Sequence, residues 1–200
     1  MLDFDAYLNV YDGFLGQVEV AVPTTGKVGT DGSVIDMLAA NRAKQTRYRV
    51  YTNAKNKYTN FGSALGITYN FYKKYPLAGN LNYNDITKLK ESDVFVVGFN
   101  TPNWFYNVSF GNREVAKNIG FNVVYRWQQS FLWESPLANG VVPAYQTIDA
   151  QVTYRLPSFK SSVKLGGTNI FNQRYIQYAA GPTIGGLYYA SVTVDGLLNR

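Results

Sequence analysis

The chain has 200 residues, a formal net charge of +6, 46% hydrophobic and 16% aromatic residues, and neither Cys nor His. That length allows one domain with an adequate core, while the missing Cys and His exclude a disulfide scaffold, thiolate nucleophiles, imidazole bases and the favoured zinc ligands. No run approaches the roughly 18 consecutive apolar residues of a transmembrane helix, but membrane-spanning strands need only about 9–11 alternating residues and stay open.

Successive strand residues point to opposite faces, and a two-residue alternation recurs along the whole chain. A first strand near 2–13 sets Leu2, Phe4, Ala6, Leu8 and Val10 against Asp3, Asp5, Tyr7, Asn9 and Tyr11. A second, near 46–72, is long and interrupted around 55–60, with Leu65, Ile67, Tyr69 and Phe71 on one face of its later half. The third, near 77–86, opposes Leu77, Gly79, Leu81 and Tyr83 to Ala78, Asn80, Asn82 and Asn84. The fourth, near 103–110, carries Trp104, Tyr106, Val108 and Phe110 on one face, and the fifth, near 119–128, Ile119, Phe121, Val123, Tyr125 and Trp127. In the sixth, near 144–156, Ile148, Ala150, Val152, Tyr154 and Leu156 face away from Asp149, Gln151, Thr153 and Arg155. A weaker seventh near 161–169 and an eighth near 187–195, with Tyr188, Ala190, Val192 and Val194 on one face, complete the set. The expected fold class is all-β: an antiparallel transmembrane β-barrel wall of about eight strands, apolar toward lipid and polar toward a lumen.

The connections sort by length. Residues 73–76, 111–118 and 157–160 are short turns, whereas 14–45, 87–102, 129–143 and 170–186 are long loops, and the two kinds alternate strictly. All long loops therefore fall at one end, as in outer-membrane barrels with short periplasmic turns and long extracellular loops. Within the first loop, Val34 to Lys44 is expected to add a helical turn or two as decoration. Trp104, Trp127 and Trp133 lie near the long-loop end, and Tyr72, Tyr75 and Phe159 near the short-turn end. Two such belts match the interfacial preference of amphipathic rings; sugar-stacking platforms on a carbohydrate-binding β-sandwich are the alternative.

No constellation supports catalysis, and no enzyme activity, cofactor or metal is expected. Asp3 and Asp5 read as polar lumen wall. The lumen-facing candidates are Asn122, Arg126, Gln128, Asp149, Gln151, Arg155, Tyr189 and Asp195, among which opposite charges can pair across neighbouring strands. Lys27, Arg42, Lys44, Arg47, Arg49, Lys55 and Lys57 gather in and beside the first long loop, and Lys73 and Lys74 share a turn. They form no stripe, so attraction to outer-membrane lipid and lipopolysaccharide is expected rather than nucleic-acid binding. Gly181, Gly185 and Gly186 make no phosphate cradle, since no helix pattern follows them.

Specific runs carry a family resemblance. Leu165-Gly-Gly-Thr-Asn-Ile-Phe-Asn-Gln-Arg-Tyr175, then Gly-Pro-Thr-Ile-Gly-Gly, then Tyr188-Tyr-Ala-Ser-Val-Thr-Val194 resembles the C-terminal end of a TonB-dependent outer-membrane receptor. Asn53 and Gly62 resemble the family's Asn…Gly pattern, and Tyr11-Asp-Gly-Phe-Leu-Gly-Gln-Val18 resembles a loop entry of members from the Bacteroidetes. Ser63-Ala64 stands where the family usually has Val-Glu, Gly185-Gly186 where Gly-Arg is common, and Leu197-Leu198-Asn199-Arg200 lacks the frequent terminal aromatic. The resemblance implies a portion of a barrel of about 22 strands, with residues 1–200 as its C-terminal part and the plug domain outside this chain. It also implies the protein's own plug, the TonB system and a small nutrient ligand as partners. Met1 leads directly into a strand, so a secretory signal was either removed or lies in a longer chain. A small complete eight-stranded barrel and a soluble β-sandwich are the alternatives.

Overall fold

In the computed structural model the described residues are 1–23, 27–28, 34–35, 45–72, 74–87, 93–95, 97–135 and 138–194. Their strands are β1 (Leu2–Tyr11), β2 (Leu15–Pro23), β3 (Lys27–Val28), β4 (Val34–Ile35), β5 (Gln45–Asn53), β6 (Tyr58–Phe71) and β7 (Tyr75–Ile86). They continue as β8 (Trp104–Ala116), β9 (Ile119–Gln128), β10 (Phe131–Trp133), β11 (Gly140–Val142), β12 (Tyr145–Leu156), β13 (Ser161–Thr168) and β14 (Leu187–Val194). Eight of them form one sheet in the order β1-β6-β7-β8-β9-β12-β13-β14, antiparallel throughout. The sheet does not close on itself: β1 and β14 each have one neighbour in it. No helix among the described residues is long and apolar enough to cross a membrane, which says nothing of strands.

Directly paired residues share a face, so the registers extend each strand's alternation across the sheet. One row runs Phe4–Leu65–Leu81–Tyr106–Trp127, and another Ile119–Tyr154–Val163–Val192. On the opposite face, Asp3–Gly66–Asn80–Asn107–Arg126–Thr147 and Asn122–Gln151–Gly166–Tyr189 make equally continuous rows. Among the described residues the apolar face is open: Phe4 is 69% exposed, Leu165 59% and Val192 68%. Buried hydrophobic residues number four among the described residues, Ala54, Tyr58, Val142 and Ala179, and all lie in or beside the long connections. A single-layer sheet of this kind has its apolar surface outside, where a soluble domain would bury it.

Five expectations need correction. The second strand is two strands, β5 and β6, parted at residues 54–57, and only β6 joins the main sheet. The loop 14–45 opens with β2, which pairs with β5 from Leu15↔Asn53 to Pro23↔Gln45. Its alternation of Gln17 and Glu19 with Val18, Val20 and Val22 is a strand pattern in its own right, completed by Tyr48 and Val50 on the partner strand. The turn 111–118 shrinks to Lys117 and Asn118, because β8 runs on to Ala116 through an irregularity between Asn112 and Ala116. Asn118 takes the left-handed conformation, at φ 67°, that so tight a reversal needs. The loop 129–143 contains the β10–β11 hairpin. Of the helical turn expected over Val34 to Lys44, Val34–Ile35 instead pairs with Lys27–Val28, and residues 36–44 lie outside the described set.

Candidate functional site

The polar face is held by side chains that bridge strands. Arg126 on β9 forms an ion pair with Asp149 on β12. The other carboxylate oxygen of Asp149 accepts the backbone N–H of Asn169 at 2.9 Å. Asn169 is only 3% exposed and left-handed at φ 49°. Its side chain donates to the Gln173 carbonyl at 2.8 Å and accepts the Gln173 N–H at 3.0 Å. Asn172, at φ 54°, accepts the Gly186 N–H at 2.9 Å. The Thr168-Asn-Ile-Phe-Asn172 run is thus a clamp that folds the last long loop back onto the sheet.

Two tyrosines lie over paired glycines. The Tyr189 hydroxyl donates to Gln151 Oε1 at 2.9 Å, and a Cβ on Gly166 would come within 2.7 Å of that hydroxyl oxygen. The Tyr7 hydroxyl donates to Asn84 Oδ1 at 2.7 Å, and a Cβ on Gly62 would meet it at the same 2.7 Å. Here glycine is required by the close approach of a ring, not by an unusual backbone angle. Asn53, the partner of Gly62 in the sequence pattern, donates to the Gly13 carbonyl at 2.8 Å and ties the neck of the β2–β5 hairpin.

All lumen candidates within the described residues fall on this one face. Asn122 pairs with Gln151, Gln128 with Tyr145, and Arg155 donates to the Arg113 carbonyl at 3.3 Å. Asp195 lies outside the described residues. Of the aromatic set, Trp104 contacts Tyr83 with ring centroids 4.7 Å apart, and Trp127 stacks on Tyr106 at 5.4 Å, both on the apolar face. Trp133 sits in β10, off the main sheet, against Tyr178. Tyr75 stacks on Phe110 at the other end, while Tyr72 and Phe159 are exposed in turns.

Sequence reasoning missed a cleft of about 610 Å³ where three long connections meet. Phe14, Gln17 and Glu19 of the first connection, Phe95 of the second and Glu134 of the third line it, with Tyr51 of β5. The connections are fastened to one another. Asp93 accepts the N–H groups of Lys55, Asn56 and Val94 and the Tyr58 hydroxyl at 2.7–3.0 Å. Desolvation pushes the Asp93 carboxyl up, but these donors outweigh it and hold it at about 2. Phe95 lies on Gly16, where a Cβ would come within 2.2 Å of the ring. Asn100, left-handed at φ 50°, exchanges two hydrogen bonds with the Glu134 backbone at 3.0 and 2.8 Å. None of these fastenings has a sequence period; a polar loop and a left-handed Asn are visible only once the partners are in place. Among the described residues no group of three or more His, Cys, Asp or Glu side chains is placed to hold a metal ion.

No protein-family model matches the sequence, and no curated protein does. Solved structures do. The ferric enterobactin receptor PfeA of Pseudomonas aeruginosa, in complex with enterobactin, is similar at a TM-score of 0.63 and 18% identity, over 96% of this chain and 28% of that one. The copper transporter OprC is similar at 0.58 and 13%, over 94% and 28%. The siderophore receptor PiuA of Acinetobacter baumannii is similar at 0.52 and 15%, over 72% and 23%. The chain therefore spans less than a third of the length of the structures it resembles. At these identities the likeness concerns architecture: the eight-stranded sheet has the all-β antiparallel fold of the barrel wall of TonB-dependent outer-membrane receptors.

Proposed function

We propose that this chain is barrel wall and loop of a TonB-dependent receptor of the Bacteroidetes type, resident in the bacterial outer membrane and importing a small nutrient. The observation that carries the reading is the division of the sheet into one apolar and one polar face, which persists through every strand pair from β1–β6 to β13–β14. In this reading the apolar face meets lipid and lipopolysaccharide. The polar face, with Arg126, Asp149, Gln151 and Tyr189, lines a lumen that holds the protein's own plug, and energy comes through the TonB system. The chain's role is transport, not catalysis. The three-connection cleft at the long-loop end is where a ligand meets this part of the receptor, since recognition concentrates on loops over a rigid scaffold. Enterobactin and copper, named for the similar structures, make metal chelates the first compounds to screen.

The test is growth of a strain whose only copy of the full-length receptor carries either the natural chain or one with the β2–β5 hairpin shortened. A panel of limiting nutrients (iron chelates, cobalamin, glycans, peptides) identifies the one that the natural receptor supports. Shortening the hairpin should lower uptake of that nutrient while the amount of folded receptor in the membrane is unchanged. Unaltered uptake after shortening would remove the cleft from recognition; a receptor absent from the outer membrane would overturn the reading as a whole.

A further inference from the structure

The apolar face is not uniformly filled. Along β6, β7 and β8 it holds two hollows, one of about 330 Å³ bounded by Phe71, Tyr72, Tyr75 and Phe110, the other of about 340 Å³ centred on Gly79. The second is walled by Leu65, Ile67, Leu81, Tyr106 and Val108. Both lie on the same side of the sheet, on either side of the Tyr69–Leu77–Phe110 row. Gly79 is what opens the wall. Gly167, also on this face, is covered by the Tyr188 ring, which a Cβ would meet at 2.9 Å. At Gly79 the nearest side-chain atom is a Val108 methyl at 3.5 Å, and no ring covers it.

Length and charge say what fits. From Phe71 to Leu65 is six residue steps along β6, roughly 20 Å at about 3.4 Å per residue. With the strand tilt of about 40° usual in such barrels, this is roughly 15 Å along the membrane normal, one leaflet of a hydrocarbon core about 30 Å thick. Next to the first hollow in the chain, the turn after Phe71 carries an exposed Lys74, whose backbone N–H donates to the Phe71 carbonyl at 3.0 Å. Tyr75, next to the lysine in the chain, stacks on Phe110 at 5.9 Å, and both rings bound the first hollow. Two apolar hollows that together span a leaflet's depth, with a cation in the turn next to the first, fit an acyl chain followed by a phosphate.

We infer that these two hollows hold one phospholipid of the short-turn leaflet, its acyl chain crossing the Tyr69–Leu77–Phe110 row to lie over Gly79 and its phosphate against Lys74. The inference rests on the membrane reading above. Lipopolysaccharide belongs to the opposite, long-loop leaflet and does not reach this end.

The test uses the full-length receptor, extracted from outer membranes in mild detergent and weighed intact by native mass spectrometry. About one phospholipid per receptor should survive detergent exchange. Lys74→Glu, in an exposed turn, should lower retention at least about fivefold, the worth of one lysine at an anionic surface. Val108→Phe, which fills the second hollow, should do the same, while Val192→Phe elsewhere on the apolar face should not. Reloading the stripped receptor in nanodiscs of phosphatidylglycerol should restore the bound lipid. Equal retention by natural receptor and Lys74→Glu, retention of lipopolysaccharide instead, or no retained lipid in a correctly inserted receptor would overturn the inference alone. A receptor that never reaches the membrane fraction would overturn both.

Discussion

Asn169 shows how a residue with a loop address does the work of a core residue. Its backbone N–H reaches Asp149, its side chain closes on Gln173 in both directions, and its backbone occupies the left-handed region that Asn tolerates. Asn169→Ala removes both hydrogen bonds to the part-buried backbone of Gln173, at roughly 0.5–1.5 kcal/mol each. In the full-length receptor the 170–186 segment of this variant should be cut by protease several-fold faster than in the natural protein, with Asn169→Gly no better, because it restores only the backbone angle. The sequence announced the charges of Arg126 and Asp149 and the cross-strand pairing open to them; that Asp149 would also hold the last loop was not legible, because its partner is a backbone N–H with no side-chain signature. Asp93 is a second such case. Its carboxyl sits at about 2 in the folded loop, below the ordinary value near 3.9. A carboxyl lowered on folding adds stability that is complete above about pH 4 and lost as the pH falls through about 2. Pepsin should therefore nick the 87–102 connection increasingly as the pH drops from about 4 toward 2. Asp93→Asn should be nicked already at the upper end of that range.

At the scale of elements, the alternation placed all eight strands of the sheet, and six of them (β1, β7, β9, β12, β13 and β14) within a residue or two of their observed ends. Alternation is legible because every strand of a two-faced wall repeats the same chemistry, independent of its neighbours. What it could not decide is which strand pairs with which. β5 reads as the first half of β6, yet it turns away to pair with β2 because the valines of β2 offer Tyr48 and Val50 an apolar partner. β8 likewise gained Gly111 to Ala116 only because β9 continues alongside it past an irregularity. The cleft depends on such choices. Gly98 lies so close to the third connection that a Cβ would come within 2.5 Å of the Glu134 carbonyl oxygen. Gly98→Val must push the second and third connections apart. Uptake of the nutrient found in the growth panel should fall while receptor abundance in the membrane stays the same; unchanged uptake would mean that the two connections need not touch for recognition.

For the whole molecule, one fact organises the rest: among the described residues the main sheet has no second layer. A soluble sandwich would lay another sheet over Phe4, Leu65, Val152 and Val192, whereas here these side chains form a continuous exterior. Residue chemistry, strand order and the placement of long connections all agree with a wall between lipid and water, and that agreement is why the architecture was readable before any coordinates. The proposed ligand cleft was not readable, because the order of its connections comes from fastenings such as Asp93 and Asn100, not from any repeat. The central claim is the assignment of faces, and neighbouring residues in the middle of β12 test it. Val152 pairs with Phe121 and Leu165 on the apolar face, Gln151 with Asn122 and Gly166 on the polar one. Arginine facing lipid near the midplane costs roughly 2–4 kcal/mol in a barrel, whereas lumen substitutions chiefly tune selectivity. The measurement is folded full-length receptor in the membrane fraction, read by heat-modifiable gel mobility, for Val152→Arg and Gln151→Arg side by side. Val152→Arg should deplete the folded band strongly and Gln151→Arg little; equal tolerance, or greater loss from Gln151→Arg, would contradict the account.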